Sequence, residues 1–138
     1  MGEILTPAFI ISVLAAAIAA GTALLYACLG ELITERAGVL NLGIEGIMLM
    51  GALSGVAGCL WSGNAWVGAA AALVAGALMA SIHALLTVGL RANQVVSGLA
   101  LTIFGTGLSA FLGRNIVGTP PPDSFRRLKI PNLELYLS

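Results

Sequence analysis

The chain has 138 residues, of which 59% are hydrophobic and only 9% charged, and its six Lys or Arg residues balance six Asp or Glu residues. So hydrophobic a composition excludes a disordered chain, and so few polar groups cannot cover the surface of an ordinary soluble domain. A nucleic-acid-binding protein is also excluded, because no basic excess is present to neutralise phosphates.

The few charges are grouped, and the gaps between the groups are long enough to cross a membrane. Residues 4–30, 46–90 and 92–113 contain no Asp, Glu, Lys or Arg. A membrane-spanning helix needs about 20 predominantly apolar residues, so these gaps hold one, two and one spans. The sequence therefore predicts an all-α polytopic membrane protein with about four transmembrane helices, folded as a single membrane domain over residues 1–138.

The first predicted helix covers about residues 7–29. Pro7 suits a first helical turn, since its missing N–H would have no helical partner there. A cleaved signal peptide would begin with basic residues and contain a shorter apolar core, so we interpret this segment as a retained span. Its run of small residues at 15–20 favours contact with other helices.

The segment 31–46 is too polar to face lipid and too apolar to be a simple solvated loop. It contains Glu31, Glu35, Arg36 and Glu45, separated by glycines. We expect a broken or re-entrant helix near 31–46, because non-helical backbone at membrane depth is tolerated where it is buried in protein or lines a wet cavity. Glu31, Glu35 and Arg36 form a charge cluster at the membrane edge, which either is solvated or docks a partner.

The second and third helices are predicted at about residues 44–61 and 65–90. Trp61 and Trp66 flank the turn between them, and because tryptophan prefers the membrane interface they mark one membrane surface. Small residues recur on one face of each helix, which predicts close helix packing. These packing residues are Gly51 and Gly55 on the second helix and Gly68, Ala72, Gly76 and Ala80 on the third.

The fourth helix is predicted at about residues 95–112, followed by a polar tail at 113–138. Cys28 and Cys59 lie in apolar segments without metal-like spacing, and we interpret them as small hydrophobic residues. The sequence has no phosphate-binding G-x-x-x-x-G-K-[ST] loop and no cluster of metal ligands. We therefore predict no enzyme activity, no metal and no cofactor on this chain.

Two titratable side chains within the apolar segments are candidates for transport chemistry. Glu45 would cost about 2.5–3.5 kcal/mol at the membrane centre and less near the edge. It therefore lies either on a transport pathway or near the interface with Arg36 as its partner. For His83 we prefer a neutral side chain, hydrogen bonded to a neighbouring helix, over a proton relay or a substrate contact.

Three amide side chains beside the predicted helix breaks complete the candidates: Asn41, Asn93 and Gln94. Amides donate and accept hydrogen bonds, so they could contact a polar, uncharged solute. Helix capping or loop closure is an equally good interpretation for Asn93.

Two segments carry a family resemblance. Residues 29–52 read LGELITERAGVLNLGIEGIMLMGA, and residues 92–101 read ANQVVSGLAL. Both resemble signatures of ABC transporter inner-membrane permeases of the simple-sugar and nucleoside import family. The resemblance extends over essentially the whole chain, and it implies the N-terminal part of a longer permease.

The resemblance implies a transmembrane permease subunit of an ATP-driven importer for nucleosides or simple sugars, which forms part of the translocation pathway in the cell (inner) membrane. The implied partners are a cytoplasmic ABC ATPase subunit, a second permease subunit, an extracytoplasmic solute-binding protein and the lipid bilayer. The implied pathway or gate-supporting candidates are Asn41, Glu45, Asn93 and Gln94, with His83 beside them. The alternative is a self-contained four-helix secondary transporter or channel, which would need a deep acid within a helix for proton coupling.

The resemblance also implies an orientation, in which the N-terminus and the tail are extracytoplasmic. Residues 31–43 and Arg91 are then cytoplasmic. The rule that basic residues collect inside disagrees, because only two basic residues lie inside and four lie outside, namely Arg114, Arg126, Arg127 and Lys129. We expect the chain to have the orientation that the resemblance implies, because the positive-inside rule is only a statistical bias.

Overall fold

A computed structural model describes residues 6–125, and this range is helical without strands. Helix α1 covers Pro7–Arg36, α2 Ile44–Ser62, α3 Ala65–Ala84 and α4 Gln94–Gly113, and a π-helix at Leu85–Gly89 continues α3. Four helices are long and apolar enough to cross a membrane, with α3 and its π-helix counted as one. The predicted fold class is confirmed, and residues 126–138 of the predicted tail lie outside the described range.

Helix α1 continues farther than the sequence predicts, to Arg36 instead of about residue 29. Its 30 residues make a helix about 45 Å long, where the hydrocarbon core of a membrane is about 30 Å thick. Glu31, Glu35 and Arg36 therefore lie on the last turns of α1. The expected break is residues 37–43, called here the 37–43 loop, and α2 begins directly after it.

Side-chain caps explain where the helices begin. Thr6 Oγ1 accepts a hydrogen bond from the backbone N–H of Phe9 at 3.3 Å. Asn64 caps α3 and Asn93 caps α4 in the same way, at 2.8 and 3.1 Å. Each cap satisfies an N–H that has no partner within its helix. Gly63, with φ 68°, ends α2 in the left-handed conformation, so α2 and α3 are joined by only two residues.

Helices α2 and α3 form an antiparallel hairpin through the small residues predicted to pack. A β-carbon added to Gly68 would lie 2.6 Å from the carbonyl oxygen of Gly55, and one added to Gly55 would lie 3.3 Å from Ala72 Cβ. Gly51 faces the carbonyl of Ala72 across the same interface. The two backbones are therefore in direct contact, as small residues on both faces permit.

The close contact weakens toward the other end of the hairpin. A β-carbon on Gly76 would lie 3.8 Å from Ile47 Cγ2, which is ordinary van der Waals contact. Ala80 is exposed. The predicted stripe of small residues thus packs tightly near the α2–α3 turn and loosens with distance from it.

Helix α4 crosses the start of α2 through a second set of glycines. A β-carbon on Gly105 would lie 2.6 Å from the carbonyl oxygen of Gly46, and one on Gly98 would lie 2.8 Å from the backbone nitrogen of Leu42. No larger residue fits at either position without moving backbone. This crossing fixes α4 against both α2 and the 37–43 loop.

Helix α1 lies apart from the other three. None of its residues is buried, and its small residues at 15–20 are exposed. Its last turns meet the rest of the chain through hydrogen bonds, since Glu31 accepts from Asn41 N–H and the carbonyl of Thr34 accepts from Val39 N–H. The 37–43 loop therefore links α1 to the three-helix unit of α2, α3 and α4.

We predict that Gly105→Ala destabilises the fold and that Gly107→Ala does not. The new methyl group at 105 meets the backbone of Gly46, so the crossing must open, at a cost of about 1–3 kcal/mol for overpacking. A β-carbon added to Gly107 would have no neighbouring atom within 4 Å, and alanine there gains up to about 1 kcal/mol of helix propensity. Thermal unfolding in detergent measures both. Equal melting temperatures for the two variants would contradict the glycine crossing.

Candidate functional site

The 37–43 loop connects two candidate membrane-spanning helices, and its backbone N–H and C=O groups need partners wherever they are withdrawn from water. In lipid each unsatisfied N–H or C=O costs several kcal/mol. Side chains from α1, α3 and α4 supply these partners. We call this arrangement the loop network; besides the loop itself it contains Glu31, His83, Gln94, Ser97 and Thr102.

Gln94, the first residue of α4, holds the loop with both ends of its amide. Its Oε1 accepts from Leu40 N–H at 2.7 Å, and its Nε2 donates to the carbonyl of Gly38 at 3.2 Å. Gly38 has φ 85°, a left-handed conformation that glycine adopts without strain. One side chain thus satisfies a donor and an acceptor two residues apart.

Glu31 and Asn41 hold the loop from its α1 side. Glu31 Oε1 accepts from Asn41 N–H at 2.7 Å, and Glu31 Oε2 accepts from the Thr34 hydroxyl at 3.2 Å. The buried Asn41 side chain accepts from Gly43 N–H at 3.0 Å, which closes a turn of the kind that Asn commonly makes. Because the Glu31 carboxylate accepts two hydrogen bonds, it is a structural ligand of the loop as well as a member of the membrane-edge cluster.

His83 reaches the loop from α3, and its ring is 2% exposed. Its Nε2 lies 3.2 Å from the carbonyl oxygen of Leu40, and its Nδ1 lies 3.1 Å from Ser97 Oγ on α4. A carbonyl can only accept, so Nε2 carries a proton, and in the neutral ring Nδ1 accepts from the Ser97 hydroxyl. These contacts agree with the interpretation preferred from sequence, a histidine hydrogen bonded to a neighbouring helix.

Thr102 and Ser97 are the members of the network that sequence reasoning missed. The Thr102 hydroxyl donates to the carbonyl of Leu42 at 2.9 Å. Gln94, His83 and Thr102 thus supply side-chain donors to the loop carbonyls of residues 38, 40 and 42, respectively. The available signal was the presence of hydroxyl and amide side chains on an apolar helix, of which Gln94 and Ser97, three residues apart, share one face of α4.

Two predicted candidates lie outside the network. Asn93 caps α4, which is the capping interpretation that the sequence left open. Glu45 is exposed, lies in the first turn of α2, and lines a cleft of about 570 Å³ between α1 and α2 together with Glu31 and Cys28. A carboxylate is favourable at a helix N-terminus because of the helix dipole. Glu35 and Arg36 are exposed at the end of α1.

The connection between α3 and α4 brings two network residues to the same loop. The π-helix that follows His83 ends with Leu90 N–H donating to the carbonyl of Leu85, and Arg91 then has φ 51°. A non-glycine residue in this left-handed region costs about 1–2 kcal/mol. The unusual backbone turns the chain sharply enough for His83 and Gln94 both to reach the 37–43 loop.

The family model described as the branched-chain amino acid transport system / permease component matches residues 12–127. The chain belongs to this family of transport permeases. The matched range includes all members of the loop network, and the resemblance found in the sequence is confirmed.

Three relatives are clearly similar to this permease chain. TsgC13 of Haloferax volcanii, named provisionally as a glucose ABC transporter permease protein, is 50% identical over 129 residues, which are 94% of the chain and 39% of TsgC13. The guanosine ABC transporter permease protein NupQ of Bacillus subtilis is 37% identical over 80% of the chain and 38% of NupQ. The nucleoside ABC transporter permease protein NupC of Lactococcus lactis is 39% identical over 66% of the chain and 31% of NupC.

The permease chain thus spans less than two fifths of the length of these curated relatives. No solved structure gives a significant match.

We predict that Gln94→Leu destabilises the permease chain, because it leaves the N–H of Leu40 and the carbonyl of Gly38 without partners. Leu40 is half-buried, so loss of the partner of its N–H costs up to about 1–3 kcal/mol, whereas Gly38 is exposed and water can replace part of the lost hydrogen bond. Gln94→Glu keeps an acceptor for Leu40 and loses the donor to Gly38, so its effect should be intermediate. Thermal unfolding measures stability, and hydrogen exchange at the Leu40 amide measures the local effect. Unchanged exchange at Leu40 in the leucine variant would contradict the role of Gln94.

Proposed function

We propose that the chain is part of the permease subunit of an ATP-driven importer for nucleosides or simple sugars. The observation that carries this proposal is the family match over residues 12–127. The names of the relatives support the solute class, because they specify glucose, guanosine and nucleosides. Neutral amides among the polar candidates, Asn41 and Gln94, suit an uncharged solute of this kind.

The loop network supports a role in gating. Three helices and the end of α1 converge on one loop, so α4 cannot shift relative to α2 without carrying the 37–43 loop or breaking its hydrogen bonds. We infer that His83, Asn41 and Gln94 support a gate at this end of the helices. Glu45, whose carboxylate faces the open cleft between α1 and α2, is the pathway candidate, and Asn93 keeps α4 in place as its cap.

The partners follow from the same proposal. The chain would work with a second permease subunit, a cytoplasmic ABC ATPase and an extracytoplasmic solute-binding protein in the cell membrane. A separate ATPase is supported by the family match, because the description of the family specifies a permease component of a transport system.

Uptake in cells tests the function. We expect import of radiolabelled guanosine or glucose when the coding sequence is expressed in its own genetic context, together with adjacent ATPase and solute-binding-protein genes. Replacement of the phosphate-binding lysine of the ATPase should reduce uptake to background. Gln94→Leu should reduce it as well, and Gly107→Ala should leave it unchanged.

A protonophore separates this proposal from the alternative. An ATP-driven importer keeps most of its initial uptake when the proton gradient collapses, provided that ATP is maintained. Transport that survives loss of the ATPase and stops with the protonophore would overturn the importer and favour the self-contained secondary transporter or channel.

A reporter fused after Ser138 tests the proposed orientation. With the N-terminus and the tail outside, alkaline phosphatase at this position should be active and a green fluorescent protein dark. A second fusion, in which the reporter follows α1 directly and replaces the chain after Gly38, should give the reverse pattern. Fluorescence from the fusion after Ser138 would show the opposite orientation, the one favoured by the count of basic residues.

A further inference from the structure

The segment 119–125, called here the strap, folds back from the end of α4 onto the turn between α2 and α3. Asp123 Oδ2 accepts from the backbone N–H of Ala65 at 3.0 Å. The carbonyl of Asp123 lies 3.4 Å from Cys59 Sγ, which donates to it. Phe125 packs edge-on against Trp66, with ring centroids 5.0 Å apart and an interplanar angle of 85°.

The path of the strap is defined by turn residues. Gly118 has φ 85°, and Thr119 N–H donates to the carbonyl of Ile116 at 3.0 Å, which reverses the chain after α4. Three consecutive prolines at 120–122 then restrict the backbone. A stiff segment loses little conformational entropy when it docks, so a few contacts are enough to hold it.

The strap covers the water-facing end of the groove between α2 and α3. A shallow, open groove of about 410 Å³ lies there, lined by Gly55, Cys59 and Gly68 on the helices and by Pro121 and Asp123 of the strap. Cys59 and Ala65 are buried at this end, at 6% and 8% exposure. Removal of the strap would expose the Cys59 thiol, which contacts the Asp123 carbonyl, to water.

The contacts of the strap are few compared with the backbone interface that they cover. Within residues 6–125 they include one hydrogen bond to a carboxylate, one weak thiol hydrogen bond and one aromatic pair, in which Phe125 is 55% exposed and Trp66 73% exposed. The carboxylate is the strongest of them, because it meets an N–H at the positive end of the α3 dipole.

We propose that the strap is a movable cover, latched by Asp123, that opens and closes access from water to Cys59 and Ala65 at the end of the groove between α2 and α3. The cover acts at the end of the helices opposite the loop network, where Trp61 and Trp66 lie. The inference concerns the chain itself and is independent of the solute, the ATPase and the direction of transport.

The reactivity of Cys59 tests the cover. Cys28→Ser leaves Cys59 as the single thiol, because the chain has two cysteines. In membrane vesicles, Asp123→Ala should raise the rate at which a water-soluble maleimide labels Cys59 by about tenfold or more, since a hydrogen bond to a charged group is lost. Asp123→Asn, which keeps an acceptor oxygen without the charge, should give a smaller increase.

Two further variants sharpen the test. Phe125→Ala removes the aromatic contact at the other end of the strap and should also raise the labelling rate. Ser124→Ala is the matched control, because Ser124 donates a hydrogen bond to Asp123 Oδ1 through its backbone N–H, which the substitution keeps. The labelling rate of this variant should equal that of the parent.

The outcomes are decisive without any transport assay. Labelling of the Asp123→Ala and Phe125→Ala variants at the parent rate would overturn the movable cover, as would an equal increase in Ser124→Ala. Thermal unfolding identifies a variant that labels fast because it is unfolded; in that case Asp123→Asn and Phe125→Ala carry the test. Failure of uptake with this labelling pattern intact would count against the proposed function alone.

Discussion

The rest of the structure depends on one constraint, the need to satisfy the backbone of the 37–43 loop where it interrupts two membrane-spanning helices. A helix satisfies its own backbone at membrane depth, whereas this loop has no helical hydrogen bonds between its residues. The chain meets it with side chains from three helices, namely Glu31, His83, Gln94 and Thr102. Four polar side chains that lie far apart in the sequence therefore meet at this loop.

The same constraint accounts for the glycines of α2 and α4. Side-chain donors reach the loop only if α4 lies almost against it, and the backbone contacts at Gly98 and Gly105 allow this approach. The hydrogen bonds to the loop backbone and the close packing of α4 therefore depend on each other. A bulky residue at either glycine would separate Gln94 and Thr102 from the carbonyls and N–H groups that they serve.

The number of helices, their spans and the α2–α3 interface could be predicted from the sequence, because hydropathy and the periodicity of small residues are local signals. The break near 31–46 was predicted, but the end of α1 was not, since charged residues such as Glu31 and Glu35 suit a helix end as well as a loop. The candidates Asn41, His83 and Gln94 were found by polarity alone. Their convergence was not predictable, because it depends on the left-handed backbone at Arg91 and on the crossing angle of α4.

The length of α1 has a consequence for how the chain sits in a membrane. Residues 7–30 alone form an uncharged helix of about 36 Å, which exceeds the usual hydrocarbon thickness by several ångströms. Such hydrophobic mismatch is relieved by tilt or by local thickening of the bilayer, and among residues 6–125 no buried side chain of α1 opposes a tilt. A tilt of α1 would reach the 37–43 loop through the hydrogen bond from Asn41 N–H to Glu31.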